Sequence, residues 1–188
     1  MGVRQKSVDF IYNIATGRRC VRAILTPLGG IFFFLGVTLF VIAALKIDRV
    51  FRFSKLLPDS TAVIVSLPVL GLGVFLILWS NIHFLKARGT PVPFNPPPKL
   101  VTAGPYAYAR NPMLTGVFIL LSGIGLWFGS VSMIFFFIPL FIIAMTLELK
   151  FIEEPELEKR LGVEYAEYKK RVPMFIPRFL CRHMYNVE

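Results

Sequence analysis

The sequence predicts an all-α protein, a polytopic membrane helical bundle of four to five spans with a C-terminal helical hairpin and a cytosolic cofactor-binding cap. Three observations carry this. The 188 residues have a mean hydropathy of +0.66 and are 55% hydrophobic, too apolar for an ordinary soluble domain of that length. Runs free of Asp, Glu, Lys and Arg cover residues 23–45, 60–85 and 111–147, and at about 1.5 Å per helical residue each can cross a hydrocarbon core of about 30 Å. Seven of the eleven acidic residues then crowd between Glu148 and Glu167, so the chain leaves the last apolar run for water.

Residues 1–22 hold Arg4, Lys6, Arg18, Arg19 and Arg22 around a short apolar stretch. That stretch is too short to cross and reads as an interfacial helix. Residues 23–45 form the first span, in which Gly29, Gly30 and Gly36 allow close helix approach. A polar connector over 46–59 leads to the second span, 60–85, whose polar members Asn81 and His83 lie at its end, where an imidazole reaches headgroups or water. Residues 86–110 carry four basic residues, no acid, and Pro91, Pro93, Pro96, Pro97 and Pro98. Such a run favours extended backbone with several missing donors and cannot sit in lipid.

The run 111–147 is nearly twice what one crossing needs and must fold back. Gly129 and Ser130 near its middle supply the turn, giving two short spans. Beyond them, Pro155 is expected to interrupt the helix that ends near Glu154, a short helix starts there, and Gly162 ends it. Residues 163–172 form a last helix with Glu164, Tyr168 and Arg171 on one face, stopped by Pro173 and Pro177. Two regions follow: a membrane region over 1–98, and a catalytic region over 99–188.

Seventeen of the 21 Lys and Arg residues fall on the N-terminus, the proline-rich loop and the C-terminal tail, against four on the other side of a four-span bundle. The positive-inside rule places Arg110 and both termini in the cytoplasm. The formal net charge of +10 does not indicate nucleic acid, since the basic residues flank apolar runs rather than line one polar element. Cys20 and Cys181 lack metal-ligand spacing and read as unpaired thiols. No metal is expected. The G-x-G at Gly71 to Gly73 lies inside an apolar span, and Gly125 with Gly129 makes a G-x-x-x-G at the bend; both read as helix packing.

The stretch from Lys99 to Gly116, KLVTAGPYAYARNPMLTG, turns the proline-rich loop into a membrane helix and sets Arg110 at a membrane surface. With the later segment IEEPELEKRLGVEYAEYKKRVP it resembles the C-terminal half of the isoprenylcysteine carboxyl methyltransferase and phospholipid methyltransferase families. The shared pattern is Arg-His-Pro or Arg-Asn-Pro, one residue, Tyr, and later a hydrophobic residue with two Glu. Here it reads Arg110, Asn111, Pro112, Met113, Leu114, then Ile152, Glu153, Glu154. Asn111 stands for His and Leu114 for Tyr. The resemblance runs from Lys99 to Pro173.

That resemblance implies an integral membrane methyltransferase using S-adenosylmethionine. It implies that the backbone of Lys99, Leu100 and Val101 forms the adenine-side wall with Tyr106 beside it and Tyr108 near. Asn111, Pro112, Met113 and Leu114 line the start of the third span, Glu153 binds the ligand's polar end, and Arg110 and Glu154 orient it. Glu167 and Arg171 on the last helix are further catalytic candidates. Read without the family, Glu153 and Glu154 also suit a solvated charge pair at a helix end, and Tyr106 and Tyr108 suit interface aromatics. The chemistry agrees with the implied ligand: carboxylates suit a ribose diol or ammonium, Arg suits a carboxylate, and tyrosine faces suit a sulfonium.

The acceptor is expected to be lipid-like and to reach the cap from the bilayer. A carboxylate needs no general base at pH 7, and the motif holds no group titrating near neutrality, while His183 lies in the tail. The simplest expectation is therefore the C-terminal carboxylate of a prenylated cysteine, with a phospholipid amine as the alternative. A membrane reductase using NADPH, of sterol-reductase type, shares a similar hairpin motif. A transporter is disfavoured because the spans lack buried ionisable residues.

Overall fold

A computed structural model describes residues 2–90 and 92–176; Pro91, Pro177, Cys181 and His183 lie outside the described residues. The chain is helical throughout, with no strand among the described residues. Helix α1 is Val3–Ala15, α2 Arg19–Phe51, α3 Asp59–Lys86 and α4 Pro112–Phe128. Helix α5, Met133–Leu161, continues through two π-helical turns, Met133–Phe137 and Leu149–Glu153. The last helix, α6, is Val163–Arg171. Helices α2, α3 and α5 are long and apolar enough to cross a membrane, and α4 is a shorter apolar helix of 17 residues.

The second span matches the uncharged run almost residue for residue. The first is longer than predicted: α2 absorbs Lys46, Asp48 and Arg49 and stops only at Arg52, which is left-handed with φ 53°. Charge alone does not end a helix once it has left the apolar slab. The connector shrinks accordingly. Most apolar side chains of α2 face outward, with Phe32 and Phe34 72% and 74% exposed, as a lipid-facing helix requires. Its glycines do less than predicted: Gly30 and Gly36 face open space, and Gly29 receives Phe94 of the loop rather than another helix.

Helices α3 and α4 form the tightest pair, antiparallel and glycine-mediated. A Cβ on Gly73 would lie 2.7 Å from the Leu120 backbone nitrogen, one on Gly116 3.0 Å from the Gly73 carbonyl, and one on Gly123 2.8 Å from Leu70. Backbones this close gain dispersion contact that a larger residue would forbid. Ala44, Val117, Leu121, Met133 and Ile138 form a core where α2, α4 and α5 meet, and Phe40 of α2 stacks edge-on against Phe137 with centroids 4.8 Å apart.

The hairpin turns where expected. Gly129 adopts φ 62° and its carbonyl accepts from the Leu56 amide at 3.0 Å. The buried Ser130 hydroxyl donates to Asp48, whose other oxygen accepts the Ser132 amide at 2.9 Å, so a carboxylate of α2 caps the start of α5.

Pro155 does not break the helix, contrary to the sequence expectation. The π turn at Leu149–Glu153 shifts the bonding register by one, with the Glu154 amide donating to the Leu149 carbonyl, and Pro155 then occupies the first turn of the following α segment, where a missing N–H costs little. Pro155 has no N–H for the Phe151 carbonyl, and Arg4 of α1 donates to that oxygen at 3.3 Å. Lys159 adds an ion pair to Asp9 at 2.8 Å and lies 4.2 Å over the Tyr12 ring. Helix α1 is thus docked on the exit of α5.

Candidate active site

The loop ahead of α4 is fixed from both sides. Gly104, at φ 63°, sits against the His83 ring, and a Cβ there would fall 2.2 Å from Nε2, so only glycine suits the position. The following 3-10 turn, Gly104–Ala107, buries Tyr106, whose ring meets Phe84 edge-on at 5.0 Å. Its carbonyl accepts the Tyr168 hydroxyl of α6 at 2.6 Å. The Arg110 and Asn111 amides donate to the Pro173 and Met174 carbonyls at 2.8 and 3.0 Å, so the segment after α6 runs along the motif. Pro112 opens α4, where its lost donor costs nothing.

Arg110 forms an ion pair through Nη1 with Glu154, both nearly buried, with side chains 10% and 5% exposed. The other Glu154 oxygen takes Lys169 Nζ at 2.6 Å, and the Tyr165 hydroxyl bonds to Arg110. Arg110 Nε is buried with no hydrogen-bond partner. One residue earlier, Glu153 has neither hydrogen bond nor ion pair among the described residues and lies within electrostatic reach of both Tyr106 and Tyr165. Glu156 pairs with Arg160 at 2.9 Å, and Arg160 reaches the Pro97 carbonyl at 3.2 Å, which ties the proline-rich loop to the end of α5.

Burial pushes the Tyr106, Tyr165 and Tyr168 phenols well above their ordinary range, since the low-dielectric surroundings disfavour phenolate. The hydrogen bond that Lys169 donates to Glu154 holds its ammonium above the ordinary lysine range. The cap therefore holds its tyrosines neutral and its lysine charged.

Of the residues singled out from the sequence, Tyr106, Arg110, Glu153 and Glu154 come together at one end of the bundle. Asn111, Pro112, Met113 and Leu114 form the adjoining start of α4, with the Asn81 amide 3.8 Å from Met113 Sδ, but Leu114 packs into the core. Leu100 and Val101 are half-buried beside the turn and Lys99 is exposed; Tyr108 is 40% exposed. Glu167 and Arg171 do not join the cluster. They are exposed on α6, as is Glu164, because the buried positions of that helix are Tyr165 and Tyr168, so the face predicted from Glu164, Tyr168 and Arg171 is not the one that docks.

Sequence reading missed Lys169, Tyr165 and the docking role of Tyr168, although two tyrosines three apart in an otherwise charged helix are a buried stripe in outline. It also set His83 toward headgroups. Its Nδ1 lies 2.9 Å from the Trp79 carbonyl, a distance that assigns the proton to Nδ1 and leaves Nε2 as the acceptor beside Gly104.

The helical membrane bundle thus joins the loop motif to the glutamate pair at one end, as the resemblance implied. Residues 61–164, more than half of the chain, match the phospholipid methyltransferase family, and the chain belongs to that family. The match begins inside α3, well before Lys99, so the helix carrying His83 and Asn81 is part of the family segment. No curated protein and no solved structure matches the chain.

Proposed function

We propose that the protein transfers a methyl group from S-adenosylmethionine to a lipid-borne acceptor at the cap formed by the loop, the end of α5 and α6. The observation that carries the reading is the unpaired Glu153 beside Tyr106 and Tyr165, next to a Glu154 that is already neutralised by Arg110 and Lys169. A carboxylate left without a partner among aromatic rings fits a cationic ligand, and the free Arg110 Nε–H fits an acceptor oxygen. The donor set thus suits a molecule bearing a sulfonium, an ammonium and a carboxylate.

When bound, S-adenosylmethionine supplies an electrophilic methyl on sulfur. The protein's own groups would do the rest: Glu153 holds the polar end, the Tyr106 and Tyr165 faces favour positive charge, and the backbone at Lys99, Leu100 and Val101 walls one side. Asn111, Pro112 and Met113 line the start of α4, and Tyr108 closes the rim. Arg110 and Glu154 orient the loop against α5. Methyl transfer of this kind gains mainly from alignment and from a dry site. The positive-inside count puts this end of the bundle in the cytoplasm, where a soluble donor is available, while the spans admit an apolar acceptor from the bilayer.

For the acceptor, the amine headgroup of a phospholipid is the better fit. Such an amine arrives mostly protonated at pH 7 and needs a proton acceptor; His83 offers Nε2 at the glycine that begins the motif turn, and Glu153, half-buried with no partner among the described residues, gains one from a cationic headgroup and none from an anionic one. The alternative, the carboxylate of a prenylated cysteine, is favoured by Asn111 and Leu114, which put no titratable side chain in the motif itself. The test is methyl incorporation from labelled S-adenosylmethionine into defined vesicles. Label on an aminophospholipid supports the first reading, and label on a prenylcysteine alone supports the second.

A further inference from the structure

The other end of the bundle holds a cavity of about 580 Å³ that no step of methyl transfer uses, lined by Asp48 and Arg49 of α2, Arg52 and Lys55 of the connector, and Trp127 and Phe128 at the end of α4. Its charges are unequal in a telling way. Asp48 is occupied by the Ser130 hydroxyl and the Ser132 amide, and Lys55 is paired with Asp59 at 2.5 Å. The Arg49 and Arg52 guanidinium groups have neither hydrogen bond nor ion pair among the described residues. The cavity therefore presents two uncommitted guanidinium groups next to an indole and a phenyl ring.

Arg52 supplies a second, independent observation. It ends α2 at φ 53°, ψ 40°, with its amide bonded to the Arg49 carbonyl and the Phe53 amide to the Asp48 carbonyl. Glycine takes that left-handed cap position without penalty, whereas a residue with a Cβ is strained there. The two cap hydrogen bonds support that backbone, and the Arg52 guanidinium, free of any bond among the described residues, is left open to a ligand.

We infer that this cavity binds the headgroup of an anionic phospholipid in the leaflet facing away from the active site. The phosphodiester lies between Arg49 and Arg52, guanidinium being matched to phosphate oxygens. Trp127 and Phe128 lie at the level where aromatic rings flank lipid headgroups, with the acyl chains running down the exposed apolar side of α2. Since the cavity spans α2, the connector and the hairpin turn, a bound lipid also holds the first span to the catalytic hairpin.

Trp127 is one of only two tryptophans, which gives a direct reporter. The full chain carrying Trp79→Phe is placed in phosphatidylcholine nanodiscs doped with brominated phosphatidylglycerol or brominated phosphatidylcholine, and quenching of Trp127 gives the relative affinity of the two lipids at the site. At roughly 1 kcal/mol for each basic residue, the anionic lipid should be preferred about 30-fold. Arg49→Gln with Arg52→Gln should bring the ratio close to one, and Lys46→Gln, a basic change outside the cavity, should leave it unaltered. Equal quenching by both lipids overturns the inference, as does a preference that survives in the double variant. Relief of quenching by millimolar inorganic phosphate would also overturn it, by making the site one for a soluble anion.

Discussion

Arg110 and Glu154 are 44 residues apart in the sequence and joined by a buried ion pair, the link between the loop motif and the end of α5. Desolvating both groups is costly, and the geometry returns that cost only while the pair is intact. Glu154 retains Lys169 if Arg110 is lost, whereas Arg110 retains only the Tyr165 hydroxyl if Glu154 is lost.

Glu154→Ala is therefore expected to destabilise the detergent-solubilised protein by about 3 to 5 kcal/mol, the cost of leaving a buried charge alone, and Arg110→Ala by less. Thermal and denaturant unfolding of both single variants and the double variant measures this. A double variant no worse than Glu154→Ala is expected; simple additivity would mean that the two residues do not act as a pair.

Glu153→Gln should behave in the opposite manner. Its carboxylate stabilises nothing in the protein, so stability should hold, while affinity for S-adenosylmethionine should fall by roughly 10- to 150-fold for the loss of one charge-assisted contact worth about 1.5 to 3 kcal/mol. Calorimetric titration reads this. Unchanged affinity would mean that Glu153 does not contact the donor.

Alkaline stability follows from the raised tyrosines and Lys169. Each of these groups has a folded pKa above its unfolded one, so the folded state holds protons that the unfolded chain releases first. Their contribution is complete below about pH 10 and is lost as pH rises further. Of the six tyrosines, Tyr106, Tyr165 and Tyr168 should show no phenolate absorbance until the protein unfolds. Smooth titration of all six before the unfolding transition would contradict the burial of the cap.

Gly73→Leu should uncouple α3 from α4, because there is no room between Gly73 and the Leu120 backbone. Overpacking of this kind costs about 1 to 3 kcal/mol. Gly71→Leu, two residues away with open space around it, should be silent. Equal losses of thermal stability in both variants would refute the packing.

Much of this was legible beforehand. The ends of α3, the turn at Gly129 and the stop at Gly162 follow from where charges cease and where only glycine fits, both local properties. The site was legible as a motif, since Arg110 and Glu154 stand in recognisable company. What was not legible depends on the third dimension. Whether Pro155 ends a helix turns on a π turn that shifts the register and on an arginine from α1 at the Phe151 carbonyl. Which side of α6 docks turns on tyrosines whose partners lie far back in the chain, the Tyr106 carbonyl 62 residues before Tyr168 and Arg110 for Tyr165. Asp48 reads as a connector residue until the hairpin turn is brought beside it.

If the acceptor is an amine headgroup, the rate should rise about tenfold per pH unit between about pH 6 and pH 8 as the amine loses its proton, and His83→Gln should reduce kcat more than it raises KM. A carboxylate acceptor would give a nearly flat profile over that range.

The most direct test of the account is transfer itself. The purified full chain, reconstituted in lipid, is incubated with methyl-labelled S-adenosylmethionine, and label is counted in the organic extract alongside donor binding. The account predicts saturable donor binding and label in a lipid product, both reduced in Glu153→Gln. No donor binding and no labelled lipid, with NADPH instead raising the melting temperature, would contradict it and identify a reductase built on the same hairpin.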